Sequence, residues 1–248
     1  MTGLTIITGA GRGIGAATAL LFAKAGFDVC INFASDESSA RSVAEKCRSF
    51  GARAGIFQAD ISDPEAVQNM YEFCDEKFSP LTVLVNNAGI IGRATSVEKL
   101  QNLTLQKTFA VNVFGSFYCA REAIKRMSIQ NSGTGGVIIN ISSIAATNGS
   151  PNEYVHYAAS KAAIDGMTNG LAKEVGPLGI RVCSVQAGTV DTDIHTKTGN
   201  PDRPAMVAAT SPLRRVGSPD DIAQAVFWLA SQKAGYATGT ILRVGGGL

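Results

Sequence analysis

The chain has 248 residues, enough for one α/β domain with a sizeable core. Apolar residues make up 45% and charged residues 17%, the balance of a globular and not a disordered protein. The net charge is +2, from 22 basic and 20 acidic residues, too small and too evenly spread for a nucleic-acid surface.

Residues 4–8 form a short β-rich run leading into Thr8-Gly9-Ala10-Gly11-Arg12-Gly13-Ile14-Gly15, and residues 16–25 read as a helix. Strand, glycine-rich turn and helix start make an anion site in that order. The glycines let backbone approach a pyrophosphate, and the helix N-terminus offers N–H groups and a positive dipole end. The spacing Gly9-x-x-x-Gly13-x-Gly15 departs from the common Gly-x-Gly-x-x-Gly fingerprint, so by itself the turn reads equally as a tight connection.

Residues 28–33 make a second strand and 38–50 a polar-faced helix stopped by Gly51. A third strand, 52–59, ends at Asp60. Asp63-Pro64-Glu65 reads as an N-cap followed by proline at the first helical position, and that helix runs to about residue 78. After Pro80, residues 81–85 are a β-branched fourth strand, followed by Asn86-Asn87-Ala88-Gly89. Residues 104–129 read as one long helix with Asn112 near its middle. Strand 137–141 ends at Ser142-Ser143. The next helix opens with Tyr157-Ala158-Ala159-Ser160-Lys161 and stops near Gly176-Pro177. Strand 181–185 leads to Gln186-Ala187-Gly188. Residues 192–217 are rich in turn formers and read as a substrate lid within the same domain. Ser218-Pro219-Asp220-Asp221 caps a helix through Leu229, and 240–244 is the last strand.

This alternation predicts an α/β fold: a doubly wound parallel sheet of about seven strands, helices on both faces, one domain over residues 1–248. Ligands of such sheets sit outside the carboxyl ends of the strands. The glycine turn, Asp60, Asn86 to Gly89, Ser143 and Ala187-Gly188 all fall there. Tyr157 and Lys161, four apart, share a helix face. A phenol titrates at about 10, and a cation one turn away favours the phenolate and lowers that value. A hydroxyl so tuned can give a proton to a carbonyl or take one from an alcohol. His156 points about 100° away from Tyr157 and receives no role. Cys30, Cys47, Cys74, Cys119 and Cys183 have mostly apolar neighbours, as buried thiols in a reducing compartment do. With only His156 and His195 present, no metal site is expected. The first residues read as a strand and not a signal peptide, and no run approaches a membrane span, so a cytoplasmic protein is expected.

Four motifs stand in the order found in short-chain dehydrogenase/reductases: Thr8-Gly9-x-x-x-Gly13-x-Gly15, Asn86-Asn87-Ala88-Gly89, Asn112, and Ser143 with Tyr157-x-x-x-Lys161. The chain resembles that family over essentially its whole length. The resemblance implies the Rossmann fold and an NAD(P)(H)-dependent oxidoreductase interconverting a small-molecule carbonyl and a secondary alcohol. It implies that Tyr157 is the acid/base, that Lys161 lowers its pKa and binds the nicotinamide ribose, and that Ser143 hydrogen-bonds the substrate oxygen. Asn112 would hold a water of the proton relay. Cofactor contacts are implied for Gly9, Gly11, Arg12, Gly13, Ile14 and Gly15, and for Asp60 and Ile61 at the adenine. Asn87, Ala88 and Gly89 would line the ribose side, and Gly188, Val190 and Thr192 the nicotinamide.

Bland readings stand beside these. Ser143 lies one residue further from Tyr157 than is usual, which leaves Ser142 open. Asn112 reads also as a satisfied polar residue bending a helix, and Asp60 as a turn cap. Ala187-Gly188 replaces the usual Pro-Gly, giving that wall more backbone freedom. A carboxylate ending the second strand would bind the ribose hydroxyl of NAD and repel a 2′-phosphate. The resemblance puts Phe33 at that place, and Arg12 where many NADP-using relatives carry a base. With Asn32 and Ser35 as donors, this favours NADP(H), NAD(H) remaining possible. Asp36 and Glu37 either reach back to the ribose or start the next helix. The family and the apolar run Val226-Phe227-Trp228-Leu229 beside an edge strand point to a homotetramer. The rival class is a non-catalytic nucleotide-binding regulator on the same fold.

Overall fold

Apolar residues of the strands divide between two cores with period two. Ile7, Ile31, Val85 and Ile139 belong to one core, and Ile6, Cys30, Leu84 and Ile138 to the other. A sheet buried on both faces needs this pattern. The computed structural model describes residues 2–192 and 203–248. Its strands are β1 Leu4–Ile7, β2 Asp28–Phe33, β3 Ala54–Gln58, β4 Leu81–Asn86, β5 Gly136–Ser143, β6 Ile180–Ala187 and β7 Ile241–Val244. They pair in parallel in the order β3-β2-β1-β4-β5-β6-β7. The doubly wound, seven-stranded parallel sheet expected from the alternation is therefore present. The order reverses between β1 and β4, which opens a crevice at their carboxyl ends.

The helices in chain order are α1 Gly13–Lys24, α2 Glu37–Ser49, α3 Pro64–Lys77, α4 Asn102–Phe109, α5 Ser116–Met127, α6 Ala145–Asn148, α7 Val155–Val175, α8 Arg203–Thr210 and α9 Pro219–Ala230. Phe22 of α1, Val43 of α2 and Val226 of α9 pack on one face of the sheet. Met70 of α3, Met127 of α5 and Ile164 of α7 pack on the other. Two starts follow their caps. Asp63 accepts from the Glu65 amide at 2.9 Å with Pro64 behind it. Ser218 and Asp221 form a reciprocal capping box, which Arg215 closes with bonds of 2.6 and 2.9 Å to the Asp221 carboxylate.

Two expectations change. Residues 104–129 are not one helix: α4 and α5 are joined by a π-helical turn, Ala110–Gly115, with Asn112 inside it. Helix α1 starts at Gly13 and not at residue 16, so the glycine turn itself supplies the first helical turn. The expected lid contains α8, while residues 193–202 within it, His195 included, lie outside the described residues.

Candidate active site

The glycine turn is held from two sides. Thr8 Oγ1 accepts from the backbone amides of Asn87 and Ala88, both at 3.0 Å. Asn87 Nδ2 donates back to the carbonyls of Thr8 and Gly9 at 2.8 and 3.1 Å. On the other side Asn32 Oδ1 accepts from the Gly9 amide at 3.2 Å, while its Nδ2 donates to Ala59 O at 3.0 Å. Gly9 has φ +63, where a side chain is strained. A Cβ on Gly15 would stand 2.6 Å from Asn87 Nδ2 and 2.8 Å from Gly9 O. The unusual glycine spacing thus has separate causes, left-handed backbone at Gly9 and Gly13 (φ +63 and +54) and a close crossing at Gly15. Arg12 is the N-cap of α1, and its side chain makes no capping hydrogen bond. Gly11, Arg12, Gly13 and Ile14 present this start to the cleft, an arrangement that fits a pyrophosphate.

The cleft encloses about 670 Å³. At its far end from α7, Phe33 and Ser35 line the wall. Asn32 also borders it, but its amide is committed to Gly9 and Ala59, so it organises the turn and is not an available phosphate donor. Asp36 caps α2, accepting from the Ser39 amide at 3.1 Å and the Ser39 hydroxyl at 2.8 Å. Its carboxylate also lies 3.5 Å from the Arg12 guanidinium. Asp60 is exposed and accepts from the Ser62 amide at 2.9 Å, as a turn cap does. Ile61 is buried against Gly115, where a Cβ would fall 2.7 Å from its Cδ1.

At the other end the π turn aims Asn112 inward. Its Oδ1 accepts from the Ile90 amide at 2.8 Å, and its Nδ2 donates to Ile90 O at 2.9 Å and Ser160 Oγ at 3.0 Å. The amide thereby satisfies both backbone groups of a residue that follows Gly89 on the cleft wall. A π turn shifts the hydrogen-bond register by one residue, and such turns gather at functional sites.

Ser142 and Ser143 are separated by the strand's alternation. Ser142 is buried and donates to Lys161 O at 3.3 Å. Both serines border the cleft, but of the two it is Ser143 that hydrogen-bonds Tyr157. Tyr157 keeps part of its surface open to the cleft, yet its surroundings push its pKa up to about 12, the Ser143 bond pulling the other way. Lys161 shares the face of α7 with it, but its ammonium donates to Ile141 O at 2.7 Å and sits 5.7 Å from the Tyr157 ring centre. Loss of hydration lowers the Lys161 pKa to about 8, against the opposing Asp165 charge. In this geometry the lysine is turned to the β5 carbonyl, and burial dominates the pKa of the phenol.

Gly188 passes so close to Gly245 that a Cβ would lie 2.6 Å from its Cα. Val190 bridges to Gly217, and Thr192 Cγ2 would meet a Gly13 Cβ at 3.1 Å, so the exit of β6 folds over the glycine turn. Two residues given no role from sequence belong to this framework. Thr8 ties β1 to the β4 loop, as described. His156 is buried, its Nε2 lying 2.8 Å from Ile91 O. A histidine beside Tyr157 was the visible signal. Its partner stands 65 positions away in sequence.

A family model described as enoyl-(acyl carrier protein) reductase matches residues 9–248. The chain is 44% identical over 244 residues to the uncharacterized oxidoreductase YgfF of Escherichia coli K12, covering 98% of this chain and 99% of that one. It is 35% identical over 248 residues to the 3-oxoacyl-[acyl-carrier-protein] reductase FabG of Staphylococcus aureus, covering 100% and 98%. Among solved structures, acetoin dehydrogenase YohF from Salmonella typhimurium superposes with a TM-score of 0.87 at 35% identity, covering 100% and 97%. Sheet, cleft and relatives define an NAD(P)-dependent oxidoreductase acting on a small molecule. Within that class, the chain belongs to the short-chain dehydrogenase/reductase family.

Proposed function

We propose that the protein interconverts a carbonyl and a secondary alcohol, with Tyr157 as the acid/base. The observation that carries this reading is the bond between Ser143 and Tyr157, with the buried Lys161 cation behind it, in the cleft that the glycine turn opens. A bound nicotinamide supplies or accepts the hydride. In the reducing direction Tyr157 gives its proton to the substrate oxygen. Ser143 donates to the same oxygen as charge builds there. Lys161 then steadies the phenolate left on Tyr157. The amide of Asn112 is spent on Ile90 and Ser160, so its share in the proton relay is to position the wall beside Lys161. Consumption of reduced cofactor with a panel of ketones and aldehydes tests the reading. No turnover with any carbonyl, despite tight cofactor binding, would return the protein to the non-catalytic class.

NADP(H) is the preferred cofactor in this reading and NAD(H) the weaker one. Phe33 supplies no carboxylate at the end of β2, and Arg12 stands at the cleft with Asp36 beside it. A 2′-phosphate competes with Asp36 for the Arg12 guanidinium. Arg12→Ala should therefore weaken NADPH binding by about tenfold and NADH binding much less. Asp36→Asn should strengthen NADPH binding, and asparagine caps a helix as well as aspartate, so α2 is kept. Phe33→Asp should move selectivity towards NADH. Dissociation constants of both cofactors check all three, and a wild-type protein that favours NADH contradicts the preference.

The assembly proposed is a homotetramer, and the cell compartment the cytoplasm. Trp228 on α9 is 44% exposed while Val226 and Leu229 are buried, and β7 is an edge of the sheet. The five cysteines are free and buried, which suits a reducing compartment. No helix among the described residues is long and apolar enough to cross a membrane. Light scattering at micromolar concentration should give a mass near four chains, and a monomeric mass counts against the assembly.

A further inference from the structure

The charged side chains lining the cleft among the described residues are Arg12, Asp36, Asp60, Arg93 and Lys161. Four of them have work already. Arg12 and Asp36 pair, Asp60 caps a turn, and Lys161 is buried on Ile141 O. Arg93 is exposed and makes no ion pair or hydrogen bond among the described residues.

Arg93 is nevertheless held in place through its backbone. The segment after Gly89 is pinned at Ile90 by the Asn112 amide, at Ile91 O by His156 Nε2, and at the Thr95 amide, which donates to Glu153 O at 2.9 Å. Between the last two pins Gly92 turns with φ +83, and a Cβ there would fall 2.9 Å from Thr104 Cγ2 and 3.3 Å from His156 Nε2. Both pins come from residues 153–156, directly before Tyr157. The strap therefore carries Arg93 to the end of the cleft that holds Ser143 and Tyr157, opposite the Arg12 end. The Glu153 side chain is not part of the cleft lining.

We propose that Arg93 is a substrate-specificity residue that binds an anionic group, a carboxylate or a phosphate, on the carbonyl compound reduced beside Tyr157. The inference rests on the carbonyl–alcohol reading above. A cation at the rim of a partly apolar cleft attracts an anion with a strength that water alone does not cancel, and a guanidinium offers two parallel donors to either oxyanion. Neutral ketones of the same size gain nothing from it.

The test compares acetoacetate and levulinate with the methyl ester of each, and dihydroxyacetone phosphate with dihydroxyacetone. In the wild-type protein kcat/KM should favour at least one anion over its neutral partner by about tenfold or more. The acid pairs and the phosphate pair distinguish carboxylate from phosphate as the group bound. Arg93→Gln should abolish the preference, and Arg93→Lys should keep part of it, since a lysine retains charge but not the fork. Cofactor dissociation constants separate this effect from any change at the Arg12 end. Titration calorimetry of the same anions with the NADPH-loaded protein gives a second readout independent of turnover. If no ketone is turned over but anion binding still depends on Arg93, the carbonyl reading fails and the anion site stands. Equal preference for neutral and anionic partners in the wild-type protein overturns the proposal. So does an anion preference that survives in Arg93→Gln.

Discussion

Tyr157→Phe is expected to lower kcat by about 10²–10⁴-fold, the usual contribution of a positioned general acid. The ring remains and only the hydroxyl is lost. The native bond to Ser143 goes with it, at a cost of about 1 kcal/mol of stability. Cofactor affinity should stay close to wild type, because the glycine turn is built by Thr8, Asn32 and Asn87, at the other end of the cleft. The pH profile sharpens the test. With its pKa held up to about 12, Tyr157 keeps its proton across the working range. Lys161, lowered to about 8, is the group that changes charge within it. The kcat/KM for reduced cofactor reports the free protein and should therefore fall above a pH of about 8 as the Lys161 cation is lost. Near-normal turnover in Tyr157→Phe would falsify the assignment of the proton donor.

How much of this was legible in the sequence depends on the range of each interaction. Strands 28–33 and 81–85 are visible because mostly apolar runs with β-branched residues begin just after Gly26 and Pro80, and both lie in the sheet. The Asp63-Pro64 and Ser218-Pro219 helix starts are visible because a cap and its partner lie within three residues. The π turn at Asn112 is not, since a shift of one residue in hydrogen-bond register leaves helical composition unchanged. Asn32 reads as a polar donor at a strand end. Its partners Gly9 and Ala59 are 23 and 27 positions away, and they turn it into a brace for the glycine loop. The choice between Ser142 and Ser143 needed the alternation of β5 relative to α7. The Tyr157–Lys161 spacing correctly placed both side chains on one helix face, but the carbonyl that draws the ammonium, Ile141 O, is 20 positions upstream. Local rules therefore recovered elements and caps, while the electrostatics of the site came from contacts between strands and helices far apart in the chain.

Lys161→Met is expected to separate activity from stability. The lysine is 5% exposed, and its charge is satisfied by one carbonyl oxygen at 2.7 Å. Taking an ammonium out of water costs more than one such contact returns, which is why its pKa falls to about 8. Unfolded, the same group titrates at about 10.4. Between those two values the unfolded chain binds the additional proton, so stability from this group rises as the pH climbs through the window. Below about 8 both states are protonated and the full penalty is present. Methionine nearly fills the same space without a charge. The variant should thus unfold at a higher urea concentration than wild type at neutral pH, and the gap should close towards pH 10. Turnover should fall by about 10²–10³-fold, because the phenolate formed on Tyr157 loses its cation. A variant that unfolds earlier than wild type at neutral pH, with the same pH slope, would mean that the Ile141 carbonyl repays the desolvation of Lys161. Lys161 would then stabilise the fold at neutral pH, and its part in catalysis would rest on the turnover measurement alone.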